Sequence, residues 1–329
     1  MLVLPIILSV IILIAGFAAL IKGADLFVDG SAALARNLKV PGLIIGLTVV
    51  AMGTSAPELA VSTSAAIAGS NEIALSNVVG SNIFNLIVVL GACALFCPVP
   101  VESIVLKRDF PVSVAVTVFV LLASCWNAIF KGTVFRSQMS DNIGLVSRWT
   151  GIVLMVAFVG YLVYLIIDAK KHPEPETDEP KKPYWKCILF ILLGLALIVA
   201  GGQAVVQSAK YIARVAGMTE TLIGLTVVAL GTSLPELVTS IVAARKGETG
   251  LAVGNVVGSC IFNIMLILGI SSTIHPVAVN TASVYDMAIL LFVSLLVFLF
   301  SFSKKKIVRA EGIIMLLLYA ADVAFAIIR

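Results

Sequence analysis

Long apolar runs alternate along the chain with short stretches of charge, proline or glycine. The runs predict ten membrane-crossing helices, at about 3–28, 41–68, 73–96, 110–130, 148–168, 185–207, 219–245, 250–272, 283–303 and 309–328. Most are near or above the roughly 20 residues that a helix needs to cross a bilayer's hydrocarbon. No charge precedes Lys22, and the first run is too long for the apolar region of a cleavable leader, so it predicts a retained helix. The one strongly polar stretch, Asp168 to Lys186, is rich in proline and mixed charge, which predicts a solvated linker. The expected organisation is an N-terminal five-helix half at 1–168, a linker at 169–184 and a C-terminal five-helix half at 185–329.

The halves contain a duplication. At a fixed offset of 178 residues, 46–91 matches 224–269 without a gap at 27 of 46 positions. Each copy spans two helices and carries G-T-S-x-P-E-L followed by G-S-x-I-F-N. Five helices per half force the second half to enter the membrane in the opposite sense. The sequence therefore predicts an all-α integral membrane protein of ten transmembrane helices in two inverted-topology repeats, a plan common among secondary transporters.

Composition agrees: 60% of the 329 residues are hydrophobic and 12% are charged, which excludes an ordinary soluble enzyme. With the termini outside, fifteen Lys and Arg fall on the inner side and six on the outer, which favours that orientation and a cytoplasmic linker. The basic residues of 131–148 fit this least well. The charge thus argues topology and not nucleic-acid binding. The five cysteines lie in or beside apolar runs without a C-x-x-C or Cys/His pattern, which predicts small core residues.

Glu58 and Glu236 occupy equivalent mid-span positions, where ionisable groups are costly and mark ion or proton paths. Each follows a proline that removes a backbone donor, and the hydroxyls of Thr54, Ser55, Thr232 and Ser233 precede them. Helical spacing puts Thr54 and Ser55 on the face of Glu58. The next helices add polar stripes, Asn77, Ser81 and Asn85, with Asn255, Ser259 and Asn263 in the second copy. Oxygen ligands of this kind suit hard cations, and two carboxylates would balance one Ca2+. Asp25, Asp29, Asp109, Asp286 and Asp322 read as interfacial, with Asp25 the one to watch. His172 and His275 read as solvated loop residues, and Lys304 to Lys306 as a positive-inside anchor.

On the paired motifs Gly53 to Glu58 and Gly231 to Glu236, with Gly80 to Asn85 and Gly258 to Asn263, the chain resembles the sodium/calcium exchanger family of the cation/calcium antiporter superfamily. The resemblance implies alternating access and exchange of several Na+ for one Ca2+, with no cofactor and no enzymatic activity. It implies the central carboxylates Glu58 and Glu236, hydroxyl ligands Thr54, Ser55, Ser81, Thr232, Ser233 and Ser259, carbonyl ligands Ala51 and Ala229, and amides Asn85 and Asn263. By analogy, the first and sixth helices, with Gly23 and Gly201 at matching offset, slide to switch access. Some members carry an aspartate at one of the two amide positions. Asparagine at both lowers the formal charge and bears on stoichiometry, ion preference and K+ cotransport. The short linker implies a minimal prokaryotic transporter of the cell's inner membrane, without a large calcium-sensing domain.

Three other readings compete. A Ca2+/H+ exchanger would use the same pair, because desolvated carboxylates bind protons. A cation channel would not need an inverted duplication. An intramembrane hydrolase would need a base beside Ser55 or Ser233, and the sequence supplies neither a His nor a Lys there.

Overall fold

The computed structural model describes residues 3–69, 72–171, 173, 182–218, 223, 227 and 229–328. In chain order, helices α1 (Val3–Leu38), α2 (Gly42–Thr54), α3 (Ala56–Ile67) and α4 (Ile73–Phe96) are followed by strand β1 (Val99–Pro100). Then come α5 (Val105–Phe130), β2 (Asn142–Val146), α6 (Arg148–Lys171) and α7 (Tyr184–Val215). The remainder is α8 (Ala229–Thr232), α9 (Leu234–Arg245), α10 (Thr249–Ile274), β3 (Val277–Asn280), α11 (Thr281–Lys304), β4 (Lys306–Ile307) and α12 (Arg309–Ile328).

Among the described residues, eight helices are long and apolar enough to cross a membrane, and the pair α2 and α3, bent by 50° at their junction, is a broken span or a re-entrant loop that brings the count to nine where it is one span. Helices α8 and α9 occupy the later part of the predicted 219–245 run, most of whose first part lies outside the described residues. His172 and most of the 169–184 linker lie outside them too.

The helices arrange by depth. Helices α4 and α10, which carry the G-S-x-I-F-N motifs, are largely enclosed by protein, whereas α1 and α12 are mostly uncovered. Large aliphatic side chains lie bare on the outer helices, among them Ile14 on α1, Val156 on α6, Leu192 on α7 and Leu317 on α12. In water such a surface would be a liability; against lipid it is the expected boundary.

Helix α1 packs antiparallel along α7, with Gly16 beside Gly201, Gly23 beside Gly194 and Gly30 beside Cys187. The approach is closest where backbone meets backbone: a Cβ on Gly23 would sit 2.8 Å from both the Gly194 carbonyl oxygen and the Ile198 nitrogen. Small residues at a membrane helix contact permit this closeness.

Two short antiparallel ladders, which the apolar pattern did not indicate, tie the halves together: β1 with β4, and β2 with β3. The misfit segment 131–148 contains β2 and a 3-10 turn at Thr133–Phe135. It is thus an ordered cap.

The aspartates divide. Asp109 corrects its interfacial reading, for it is fully buried. Arg108 donates to it from Nε at 2.7 Å and from Nη2 at 3.1 Å, and the Tyr161 hydroxyl donates at 2.9 Å. Arg108 also bonds Asp168, which joins α5 to α6. Asp25 and Asp29 pair with Lys246 just beyond α9, Asp29 at 2.7 Å. The five cysteines are free thiols, four of them buried, as small core residues would be.

Gly23→Val is expected to overpack the α1–α7 contact and destabilise the fold by about 1–3 kcal/mol, whereas Gly160→Ala, with nothing within 4 Å of the added carbon, leaves stability near wild type. Melting temperatures from size-exclusion of heated detergent samples check both.

Candidate functional site

The site is built where two helices break. Helix α2 stops at Ser55 (φ −82°, ψ 10°) and α3 restarts with Pro57 in its first turn; the second repeat matches it at Ser233 (φ −93°, ψ 8°) and Pro235. Proline suits a helix start, where its missing N–H would have no helical partner. Glu58 and Glu236 therefore lie in the first turns of α3 and α9, where the positive end of the helix dipole favours a carboxylate. The preceding half-helices α2 and α8 point their carbonyl ends at the same breaks, with Thr54 and Thr232 as last residues.

The hydroxyls cross between repeats. Ser55 Oγ donates to Glu236 Oε1 at 2.7 Å and lies 3.0 Å from Ser259 Oγ. Its mate Ser233 Oγ donates to Glu58 Oε1 at 3.0 Å and lies 3.2 Å from Ser81 Oγ. Thr54 Oγ1 donates to Asn255 Oδ1 at 2.9 Å. Helical spacing assigned Thr54 and Ser55 to the carboxylate of their own repeat; the helix break at Ser55 gives Ser55 to Glu236 and brings Thr54 to Asn255 of the other repeat instead. Close helix contact allows it: a Cβ on Gly258 would meet the Leu47 Cα at 2.7 Å.

The amides divide into two roles. Asn77 Nδ2 donates to Ser62 Oγ at 2.9 Å and Asn255 Nδ2 to Ser240 Oγ at 2.9 Å, each also approaching the backbone carbonyl of its repeat's glutamate. These asparagines support the backbone that carries the acids. Ser62 and Ser240 escaped the sequence reading although both are matched at the 178-residue offset. So did Asn82, which accepts from Asn263 Nδ2 at 3.0 Å; it is unmatched in the other copy, so the duplication gave no signal. Asn85 and Asn263 each open a π-helical turn, Asn85–Val89 and Asn263–Ile267, a distortion frequent at functional sites.

Glu58, Glu236, Thr54, Ser55, Ser233, Ser259, Asn85 and Asn263 are fully buried, and Ser81 nearly so. Ala51 is enclosed as well, its carbonyl accepting the Ser55 N–H at 3.0 Å. Ala229 opens α8. Four side-chain oxygens in this group have no hydrogen-bond partner: Glu58 Oε2, Glu236 Oε2, Asn85 Oδ1 and Asn263 Oδ1. Buried polar atoms without partners cost free energy, and among the described residues no basic side chain pairs with either carboxylate. Carboxylate and amide oxygens, with the hydroxyls bonded to the carboxylates, are the donor types that hard cations take. The cavities of about 630 Å³ beside Lys22 and Lys246 and about 800 Å³ beside Arg108 and Tyr164 are lined by none of these residues. The carboxylates are sealed from both.

Broken helices that enclose paired carboxylates within an integral membrane protein define an ion transporter. The family described as sodium/calcium exchanger protein matches residues 8–167 and 186–328, so the chain belongs to that family of transporters. It is 38% identical to CaxA of Alkalimonas amylolytica over 94% of this chain and 96% of that one. It is 32% identical to the sodium/calcium exchanger MaX1 of Methanosarcina acetivorans, again over 94% and 96%. A solved structure of the sodium-calcium exchanger NCX_Mj, soaked with 10 mM Na+ and zero Ca2+, superposes with a TM-score of 0.81 at 31% identity, covering 97% of this chain and 99% of that one.

Millimolar Ca2+ added to ion-depleted protein in choline buffer is expected to raise its melting temperature, since a ligand at 100 times its Kd stabilises by about 2.7 kcal/mol. Glu58→Gln and Glu236→Gln are expected to fold and to lose that shift, which differential scanning fluorimetry measures.

Proposed function

We propose that the chain is a secondary antiporter that exchanges Na+ for Ca2+ by alternating access, through ten transmembrane helices in two inverted five-helix halves. The observation that carries this reading is the crosswise pair of Ser–Glu bonds around four unpartnered oxygens. The antiparallel run of α1 along α7 fits inversion, since these are the first helices of the two halves. The relative MaX1 bears the name sodium/calcium exchanger, and NCX_Mj structures were soaked with Na+ and with Ca2+ or Sr2+.

Charge sets the coupling. Two enclosed carboxylates, with no basic partner among the described residues, need two positive charges when ionised, which one Ca2+ or two Na+ supply. Ca2+ binds between Glu58 and Glu236 with both ionised. Na+ ions spread over the hydroxyls of Thr54, Ser55, Ser81, Thr232, Ser233 and Ser259, the carbonyls of Ala51 and Ala229, the amides and the same carboxylates. Shared ligands make the ions competitors. Because the site is enclosed, neither leaves until a gate opens, and the glycine-lined α1–α7 contact is the surface on which that movement occurs. The Lys and Arg distribution favours both termini outside and the 169–184 linker in the cytoplasm. A relative named inner membrane protein YrbG, of Escherichia coli, 35% identical over 88% of this chain, supports the cell's inner membrane as the location.

Proteoliposomes loaded with Na+ and diluted into Na+-free buffer are expected to accumulate radioactive Ca2+, with uptake unaffected by a protonophore and abolished by Glu58→Gln or Glu236→Gln. Uptake driven by a pH gradient without Na+ would assign proton coupling instead, and an obligatory need for K+ would assign a K+-dependent exchanger.

A further inference from the structure

The two repeats are matched at nearly every residue around the carboxylates, but residue 82 is asparagine where the second copy has Cys260. Both side chains are buried where α4 meets α10. Asn82 Nδ2 donates to the Cys260 carbonyl at 3.0 Å, and its Oδ1 accepts from Asn263 Nδ2 at 3.0 Å. A backbone carbonyl can only accept, so the first bond fixes which way the Asn82 amide is turned. That orientation leaves an acceptor toward Asn263, which must answer with its NH2 group. The Asn263 Oδ1 is thereby turned away from Asn82, and it has no other partner.

On the mirror side the relay is missing. The Cys260 thiol reaches toward the Asn82 carbonyl at 3.9 Å and offers no strong acceptor to Asn85. Both amide atoms of Asn85 are without a partner. The two amides therefore differ: one is held by a two-bond chain anchored on backbone, and the other is unheld by hydrogen bonds.

We infer that Asn82 is a positioning residue that presents the Asn263 amide oxygen to the transported cation, making Asn263 a pre-oriented ligand and Asn85 an adaptable one. This rests on the exchanger reading above, and it deepens that reading by making the cation site unequal in two otherwise equivalent repeats. A pre-oriented oxygen favours the ion with the stricter demand for simultaneous oxygen ligands, which is Ca2+ over Na+.

The duplication supplies its own test, because residues 82 and 260 can be exchanged. Asn82→Cys is expected to weaken Ca2+ about tenfold, the scale seen when a partner orienting a metal ligand is removed. The effect should appear both in the KM for Na+-driven Ca2+ uptake and in the Ca2+ midpoint for thermal stabilisation, with maximal rate little changed. The double exchange Asn82→Cys with Cys260→Asn rebuilds the relay in mirror image, now holding Asn85, and is expected to restore Ca2+ to within about twofold of wild type. A residue needed only for packing would not be rescued in this way. An unchanged Ca2+ midpoint in the single variant, or a folded double variant that stays weak, overturns the inference. If Asn82→Cys does not fold, Cys260→Asn alone decides: a tighter Ca2+ midpoint supports the relay and an unchanged one overturns it. Failure of the wild-type protein to exchange Na+ for Ca2+ would instead overturn the functional reading, which separates the two.

Discussion

Two carboxyl groups enclosed with no basic partner among the described residues are the constraint on which this molecule turns. Glu58 and Glu236 are fully buried, and burying an ion costs several kcal/mol that only good partners offset. The chain offsets part of it with fixed dipoles. Each acid lies in the first turn of a helix and receives a hydroxyl from the opposite repeat. Those arrangements require the breaks at Ser55 and Ser233, which in turn require protein on all sides, because irregular backbone is not tolerated against lipid. The near-complete enclosure of α4 and α10 follows from the same demand. What the dipoles do not supply is net positive charge, which on the proposed reading an ion from solution brings.

The Arg108 cluster shows how the same chain treats buried charge when nothing has to be released. There Asp109 accepts two bonds from Arg108 and one from Tyr161, and Arg108 reaches on to Asp168. Neither oxygen of Asp109 is left without a partner. Such a network fixes α5 against α6 and has no reason to exchange ligands. In the central site one oxygen of each glutamate is satisfied and the other is not. Half-satisfaction at two equivalent positions is the physical difference between the central site and the Arg108 cluster.

Much of this was legible in the sequence, and the limits have physical causes. Apolar run length located the crossing helices because a bilayer fixes how much helix must be greasy, and the 178-residue repeat located Glu58, Glu236 and their hydroxyls. Repeats, however, report equivalence and not contact. Nothing in the spacing says that Ser55 serves Glu236, since helical periodicity is a local rule and the break at Ser55 suspends it. Asp109 looked interfacial because it sits near the start of its run, but burial is decided by what Tyr161 and Arg108 place over it. The ladder between β2 and β3 was invisible for a similar reason: both partners are short and the pairing joins residues more than 130 positions apart.

Duplication and departure from duplication carry different information here. On the proposed reading, symmetry serves alternating access, since two equivalent halves could each take the role of the open side; the crosswise serines make each repeat the donor for the other's acid. On the same reading a difference serves selectivity, because a site with identical flexible ligands on both sides adapts equally to small and large oxygen demands. The exchange of one residue, asparagine for cysteine at positions 82 and 260, changes no carboxylate, no hydroxyl and no amide of the cation site. It changes only which of two amides has a hydrogen-bonded reason to keep its oxygen turned away from the α4–α10 contact. In so small a set of proposed ligands, the orientation of a single neutral oxygen is a lever comparable with adding or removing a ligand, and it leaves the formal charge of the site untouched.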